Sequence, residues 1–258
     1  MSERKPFAVA NWKMAMTIAE SRRFVREFMP RLGSAAQVVD VVLCPPYTAL
    51  HAVAQAVAAT PIELGAQNVS AAAGRAHTGE ISAHLLADVG CRWVLLGHWE
   101  IRRRIGERDV AVNRKALAAL EAGLRPIFLI GEGADQRHQA TTALHQRLPL
   151  LFAGIDAGDI ADTVVVYEPE WTIGADQPAS PDRVAAGCRA IRRWIAQTYG
   201  TATAEGLRTI YGGSVTPAHA RSLLASPHVD GLGAGRQGRD PQAFAEIVRL
   251  IAQTKEEM

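Results

Sequence analysis

The chain has 258 residues, of which 48% are hydrophobic and 21% are charged, as is usual for a globular protein with a large core. Its formal net charge of +2 and pI of about 8.5 come from scattered basic residues, which argues against nucleic acid or a membrane surface as a partner. No stretch approaches the roughly 18 apolar residues of a membrane span.

The three cysteines, Cys44, Cys91 and Cys188, are odd in number and far apart, which disfavours a disulfide framework or a zinc site. No group of His, Asp and Glu has metal-ligand spacing, so neither a metal nor an organic cofactor is expected. The apolar run before Asn11 is four residues long, too short for a signal peptide. We therefore expect a cytoplasmic protein.

Eight short apolar runs recur along the chain and predict eight strands. Most are continuous rather than alternating, which is typical of parallel strands covered by helices. They are residues 7–11, 38–44, 61–67, 92–97, 125–131, 162–168, 207–213 and 229–235.

Helical patterns occupy the gaps between these runs. Pro181, Pro217 and Pro241 each follow a Ser, Thr or Asp, which predicts a capping side chain followed by proline in the first helical turn. Gly123 stands where a helix needs a left-handed residue at its end.

Eight strands alternating with helices, without a linker, favour a single (β/α)8 barrel (TIM barrel) domain over residues 1–258; a doubly wound open sheet is the alternative. In such a barrel the strand ends gather at one face, where active sites lie. The residues there that can carry chemistry are Asn11, Lys13, Gln67, Asn68, His98, Glu100, Glu168, Ser214 and Gly235.

An ordered set of motifs resembles the triosephosphate isomerase family from Asn11 to Gly235. Each motif alone is weak, but their order and spacing together are specific. The matching segments are residues 11–14 (NWKM), 65–68 (GAQN), 78–82 (TGEIS), 97–98 (GH), 130–132 (IGE), 167–169 (YEP), 171 (W), 173–174 (IG), 211–215 (YGGSV) and 230–231 (DG).

The resemblance implies an aldose–ketose isomerase of glycolysis and gluconeogenesis that moves a proton between two carbons of a small sugar phosphate. Glu168 is then the base, because a partly dehydrated carboxylate is a stronger base. His98, as a neutral imidazole, would stabilise the enediolate. Lys13 would supply a fixed positive charge, and Asn11 would bind a substrate oxygen.

Phosphate binding is expected from glycine-rich turns whose N–H groups can face an anion. The candidates are Gly174, Ser214, Gly235 and Arg236. Gly174 lies in residues 169–179, which resemble the closing lid of the family and are called the lid below. Lid closure would exclude water and limit elimination of phosphate from the enediolate.

Four further residues carry supporting roles by resemblance. Glu100 is similar to the family's carboxylate near the lysine, Tyr211 to a hydroxyl partner of the lid, and Thr78 to the residue that enters a neighbouring subunit. The long segment around Thr78 fits an interface, and a homodimer is expected from the resemblance. Trp99, next to His98, is expected to support the residues that touch the substrate without touching it itself.

Five positions depart from the family pattern. Trp99 replaces a serine, so the position can only donate a hydrogen bond, and its bulk is expected to reshape the pocket floor. Ile101 replaces the first of two arginines, and the lid tip at residues 175–177 is Ala-Asp-Gln instead of Thr-Gly-Lys. Arg236 replaces a glycine of the last phosphate turn, and Leu129 replaces a cysteine.

Arg236 and the lid exit at residues 178–180 resemble the tetrulose-phosphate isomerases, such as L-erythrulose-1-phosphate isomerase. A four-carbon substrate is therefore an alternative to the triose phosphates. A catalytically silent barrel that binds a phosphorylated metabolite is another. A phosphate-binding barrel of aromatic amino acid biosynthesis would share the fold but not the Asn-Trp-Lys and Tyr-Glu-Pro segments.

Overall fold

The computed structural model describes residues 4–258. Its eight parallel strands close into a barrel in chain order, because the last strand pairs with the first. The strands are β1 Phe7–Asn11, β2 Asp40–Cys44, β3 Ile62–Ala66, β4 Cys91–Leu96, β5 Arg125–Ile130, β6 Val164–Tyr167, β7 Arg208–Gly212 and β8 Gly231–Ala234. The predicted barrel is confirmed, and the open sheet is wrong.

Helices surround the barrel and follow the strands along the chain. They are α1 Ile18–Leu32, α2 Ala35–Val38, α3 Leu50–Val57, α4 Ala83–Val89, α5 Trp99–Ile105, α6 Asp109–Glu121, α7 Ala140–Leu151, α8 Ala157–Asp162, α9 Pro181–Tyr199, α10 Thr201–Gly206, α11 Pro217–Leu224 and α12 Pro241–Glu256. In the part of the chain that the structure describes, none of the helices combines the length and apolarity needed to cross a bilayer.

The predicted strands are mostly too long by one to three residues at their ends. Val38, for example, lies in α2 and not in a strand. Glu168 and Gly235 come directly after β6 and β8. Both residues therefore lie in loops at the carboxyl face of the barrel.

Proline begins α9, α11 and α12 as predicted, but only one of the expected side-chain caps is present. Asp240 accepts hydrogen bonds from the N–H groups of Gln242 and Ala243 at 2.9 and 2.8 Å. Ser180 makes no such bond, and Thr216 instead contacts the ring of His219. Proline at the helix start lacks an N–H and has a suitable φ, which reduces the need for a cap.

Apolar side chains fill the barrel interior below its carboxyl mouth. Phe7 and Trp93 meet edge to face with ring centroids 5.0 Å apart near the amino ends of the strands. A second, larger apolar layer lies between the strands and the helices. The packed interior confines a ligand to the carboxyl face.

Candidate active site

A cavity of about 300 Å³ opens at the carboxyl ends of the strands. This volume is at the small end of the range for ligand sites and suits a metabolite of a few carbons. Nine of the predicted site residues line it: Asn11, Lys13, His98, Glu100, Glu168, Gly174, Ser214, Gly235 and Arg236. Trp99, Tyr211 and Thr78 lie outside it.

Lys13 enters the cavity from an unusual backbone conformation after β1. Its φ is +54°, a region that costs energy for a residue with a side chain. Asn11 Oδ1 accepts the Lys13 N–H at 3.0 Å, and Gln67 Nε2 donates to the Lys13 carbonyl at 2.8 Å. Both amides hold the turn that aims the ammonium group. The sequence placed Gln67 at a strand end but gave it no role.

His98 forms the N-cap of α5. Its Nδ1 accepts the backbone N–H of Glu100 at 3.1 Å, so the neutral ring carries its proton on Nε2. The Nε2 atom lies 3.6 Å from Oε2 of Glu168, so a donor and a carboxylate face each other across the cavity.

The backbone of Glu168 is held where β6 ends. Its N–H donates to the Ile130 carbonyl at 2.8 Å, and a Cβ added to Gly131 would lie 2.2 Å from the Glu168 carbonyl oxygen. Position 131 therefore requires glycine. The Glu168 side chain is buried, and Oε2 has no hydrogen-bond partner among residues 4–258. That oxygen is available to accept a proton.

Glu100 pairs with Lys13, with Oε1 2.7 Å from Nζ. Partial burial favours the protonated form of Glu100, but the hydrogen bond from Lys13 and the positive charges of Lys13 and Arg104 outweigh it, and the pKa is lowered from its ordinary value of 4.5. The pair fixes the ammonium group at one side of the cavity.

The lid packs against the turn that follows β7. Ser214 Oγ lies 2.9 Å from the Thr172 carbonyl oxygen and 2.6 Å from that of Ala175. Gly213 has a φ of +123°, and a Cβ there would lie 2.1 Å from Thr172 Oγ1. Only glycine permits this close contact. Gly174, in the lid, also has a positive φ of +75°.

Both ends of the lid are anchored to buried side chains. At its exit, the Ala179 N–H donates to the Tyr211 hydroxyl at 2.8 Å, and burial raises the pKa of Tyr211 to about 12. At its start, Trp171 Nε1 donates to Glu132 at 3.0 Å. Glu132 is fully buried and also accepts from Tyr167. Glu132 lies within a family motif, but the sequence alone did not suggest this anchoring.

Trp99 lies behind the residues that line the cavity. The ring is buried behind Glu168, and its Nε1 donates to the Glu168 carbonyl at 3.0 Å. A serine at this position has no ring, and its short side chain could not reach the Glu168 carbonyl in the same way. Its neighbour Ile101 is half-buried, while Arg102 binds Asp109 at 2.7 Å and the Gly97 carbonyl at 2.6 Å.

The last turn, after β8, presents positive charge to the cavity. Arg236 is exposed and lines the cavity together with Gly235, Gln237 and Arg239. Gln237 and Arg239 were not predicted as site residues, because they belong to a short 3-10 turn that has no recognisable sequence pattern. Leu129 contributes an apolar wall.

Thr78 is exposed and does not line the cavity. It lies within residues 68–82, which contain neither a strand nor a helix; α4 begins at Ala83. Met14, next to Lys13, is 95% exposed.

Comparison with known proteins agrees with this geometry. A family model described as triosephosphate isomerase matches residues 6–251. A protein of Symbiobacterium thermophilum named triosephosphate isomerase is 40% identical over 98% of this chain and 99% of its own length. A protein of that name from Chloroflexus aurantiacus is 40% identical over 95% of this chain and 98% of its own. The chain belongs to the triosephosphate isomerase family.

Proposed function

We propose that this isomerase interconverts dihydroxyacetone phosphate and glyceraldehyde 3-phosphate through an enediolate. The observation that carries the proposal is the 3.6 Å separation of His98 Nε2 and Glu168 Oε2 at the mouth of a cavity of about 300 Å³. Membership of the triosephosphate isomerase family supports the same reaction.

Glu168 moves the proton. Its carboxylate takes a proton from the carbon beside the carbonyl. The electron pair of that C–H bond becomes the C=C bond of the enediolate, and the π pair of the carbonyl moves onto its oxygen. The protonated carboxyl then returns the proton to the former carbonyl carbon, while the hydroxyl proton passes from the oxygen of the first carbon to the former carbonyl oxygen. One group serves both steps because the two carbons are adjacent, and its partnerless Oε2 is free to act in each.

His98 and Lys13 stabilise the charge that develops on the substrate oxygens. The His98 Nε2–H donates to the enediolate, and its orientation is fixed by the hydrogen bond that Nδ1 accepts. The Lys13 ammonium adds a positive charge without needing to move. Asn11 holds the Lys13 turn through Oδ1, which leaves its Nδ2 group for a substrate oxygen.

The phosphate is held by the lid and by two turns. Gly174, the Gly213–Ser214 turn and Gly235 offer backbone N–H groups, and Arg236 adds charge at the rim. The lid keeps water from the enediolate and thereby suppresses loss of phosphate.

The chain acts in the cytoplasm as a homodimer. Thr78 and the segment around it contact the partner subunit, and the partner covers the exposed Met14 side chain beside Lys13. The exposure of Met14 supports this arrangement.

Steady-state kinetics with two substrates test the proposal. We expect kcat/KM for dihydroxyacetone phosphate to exceed that for L-erythrulose 1-phosphate. A far larger value for the four-carbon ketose would assign the chain to the tetrulose-phosphate alternative. Binding of inorganic phosphate without turnover of either substrate would indicate a silent barrel.

A further inference from the structure

The Trp99 side chain makes a hydrogen bond that has no part in the proposed chemical steps. Its indole N–H donates to the main-chain carbonyl of Glu168 at 3.0 Å, and both groups are buried. The next residue, Pro169, has no N–H and begins the lid. The Glu168 carbonyl therefore lies at the junction between β6 and the lid.

One further contact restricts this carbonyl directly, and a second holds the residue that makes it. Gly131 lies so close that any Cβ there would meet the Glu168 carbonyl oxygen at 2.2 Å. The carbonyl of Gly131 in turn accepts a hydrogen bond from Arg147 at 2.8 Å. Trp99, Gly131 and Arg147 come from different parts of the chain and together restrict the backbone of Glu168.

The indole ring is itself held in place. The Arg147 guanidinium lies 4.4 Å from the ring centroid, within range of a cation–π interaction. Arg102 and Arg103 approach the same ring at 5.9 and 6.0 Å. These arginines are paired with Asp109 and Glu170, so the ring has little freedom to turn.

We infer that Trp99 is a positioning residue that fixes the backbone of Glu168 and separates it from the movement of the lid. Its N–H holds the carbonyl in one orientation whether the lid is open or closed, which keeps the carboxylate aligned with the substrate carbons. This inference rests on the proposed function, in which Glu168 is the base.

The substitution Trp99→Phe keeps an aromatic ring beside Arg147 and removes the donor. A buried carbonyl then loses its partner, and the carboxylate is less well aligned. Because small misplacements of a catalytic group are costly, we expect kcat for dihydroxyacetone phosphate to fall about tenfold. KM should stay within about twofold of the wild-type value, since the phosphate turns are untouched.

A matched control removes the same atom elsewhere. Trp93 is also buried, and its indole N–H donates to Glu63 at 2.7 Å near the amino ends of the strands. Trp93→Phe should lower thermal stability but leave kcat within about twofold. Replacement of Trp99 by 3-benzothienylalanine, in which sulfur replaces the indole N–H at almost constant shape, gives a second variant should Trp99→Phe fold poorly.

Binding provides a readout that a purely structural role would not change. 2-Phosphoglycolate carries a planar carboxylate that mimics the enediolate, whereas inorganic phosphate occupies only the phosphate turns. Loss of the Trp99 N–H should weaken 2-phosphoglycolate binding several-fold and leave the Kd for inorganic phosphate unchanged.

The inference is overturned if both Trp99 variants keep the kcat of the wild type while only their Tm falls, or if KM rises at constant kcat. In either case the proposed function stands, since the wild type turns over substrate. A wild type without isomerase activity would overturn the proposed function, and this inference with it.

Discussion

Glu168 and His98 come from the ends of β6 and β4, and both are buried at the edge of the cavity. Their place at the carboxyl face could be predicted, because the Tyr-Glu-Pro and Gly-His segments stand at predicted strand ends, and their proposed roles come from the ordered set of motifs. Their separation could not, since it depends on barrel closure and on the hydrogen bond between His98 Nδ1 and the Glu100 N–H.

Glu168→Gln removes the group that accepts the proton while preserving the shape of the side chain. We expect kcat to fall by about 10³-fold or more, with an unchanged circular dichroism spectrum. Glu246→Gln is the control, because Glu246 is an exposed carboxylate of α12 that does not line the cavity. Activity of Glu168→Gln equal to that of the control would remove Glu168 from its role.

The ion pair of Glu100 and Lys13 predicts a pH dependence of stability. Because the pKa of Glu100 is lowered in the folded protein, its contribution is complete above the ordinary value of 4.5 and is lost as pH falls through the lowered value. We expect Glu100→Gln to lower Tm by about 1–3 °C near neutral pH. The difference should shrink towards zero in acid; calorimetry that finds it growing instead would contradict the pairing.

The contacts that hold the lid could be predicted from the sequence only in part. Tyr211 and Ser214 were identified through resemblance, and they contact Ala179 and Ala175. The contacts of Glu132 with Trp171 and Tyr167 join residues 35 to 39 positions apart. No local pattern encodes such pairs, because they arise from the order of strands in the barrel.

Tyr211→Phe deletes the hydroxyl that accepts the Ala179 N–H and leaves the ring in place. The lid exit is then held less firmly, so we expect kcat/KM to fall about tenfold. Release of inorganic phosphate per turnover should rise, because water reaches the enediolate. A coupled isomerase assay with a phosphate assay measures both.

Tyr199→Phe is the matched control for the lid. The Tyr199 hydroxyl donates to the Phe152 carbonyl at 3.0 Å, on the outer helices and away from the cavity. This variant should retain both the rate and the low phosphate release of the wild type. Equal effects from the two tyrosines would show that the lid contact has no special importance.

At the scale of the whole molecule, the two ends of the barrel have different tasks. The amino end carries an ionic network in which Asp230 accepts from Arg4 at 2.8 Å, from Arg192 at 2.6 Å and from the Thr209 N–H at 2.7 Å. Asp230 belongs to a family motif, but its position at the end opposite the cavity assigns it to stability rather than chemistry.

Asp230→Asn should therefore separate stability from activity. Removal of one partner from a largely buried pair costs about 3–5 kcal/mol, which corresponds to a fall in Tm of about 10 °C for a chain of this size. We expect kcat to stay within about twofold. Glu257→Gln, at an exposed pair with Arg221, is the control and should change Tm by less than about 2 °C.

The proposed dimer is tested at the segment that contains Thr78. Thr78→Arg places a long charged side chain in the expected interface, where desolvation of an unpaired charge is costly. Light scattering should then report a shift from dimer to monomer, with loss of activity. Ser222→Arg, on the exposed surface of α11, should leave the mass unchanged. A wild type that is monomeric at all concentrations would contradict the dimer.

The barrel itself was predictable because continuous apolar runs and Pro-initiated helices repeat along the chain. The strand ends and helix caps were harder to predict. Val38 lies in a helix, and the Ser180 side chain does not cap α9. In both cases a local preference was weaker than the packing around it. The position of Trp99 behind Glu168, rather than in the cavity, depends on three arginines that come together only in the folded chain.

The central claim is that Glu168 exchanges a proton with the carbon of a substrate held beside His98. Proton NMR of dihydroxyacetone phosphate incubated in D₂O tests it directly. The wild type should place deuterium at the carbon that bears the hydroxyl group, and Glu168→Gln should not do so measurably over the same time. Deuterium uptake with Glu168→Gln equal to that of the wild type would show that another group removes the proton.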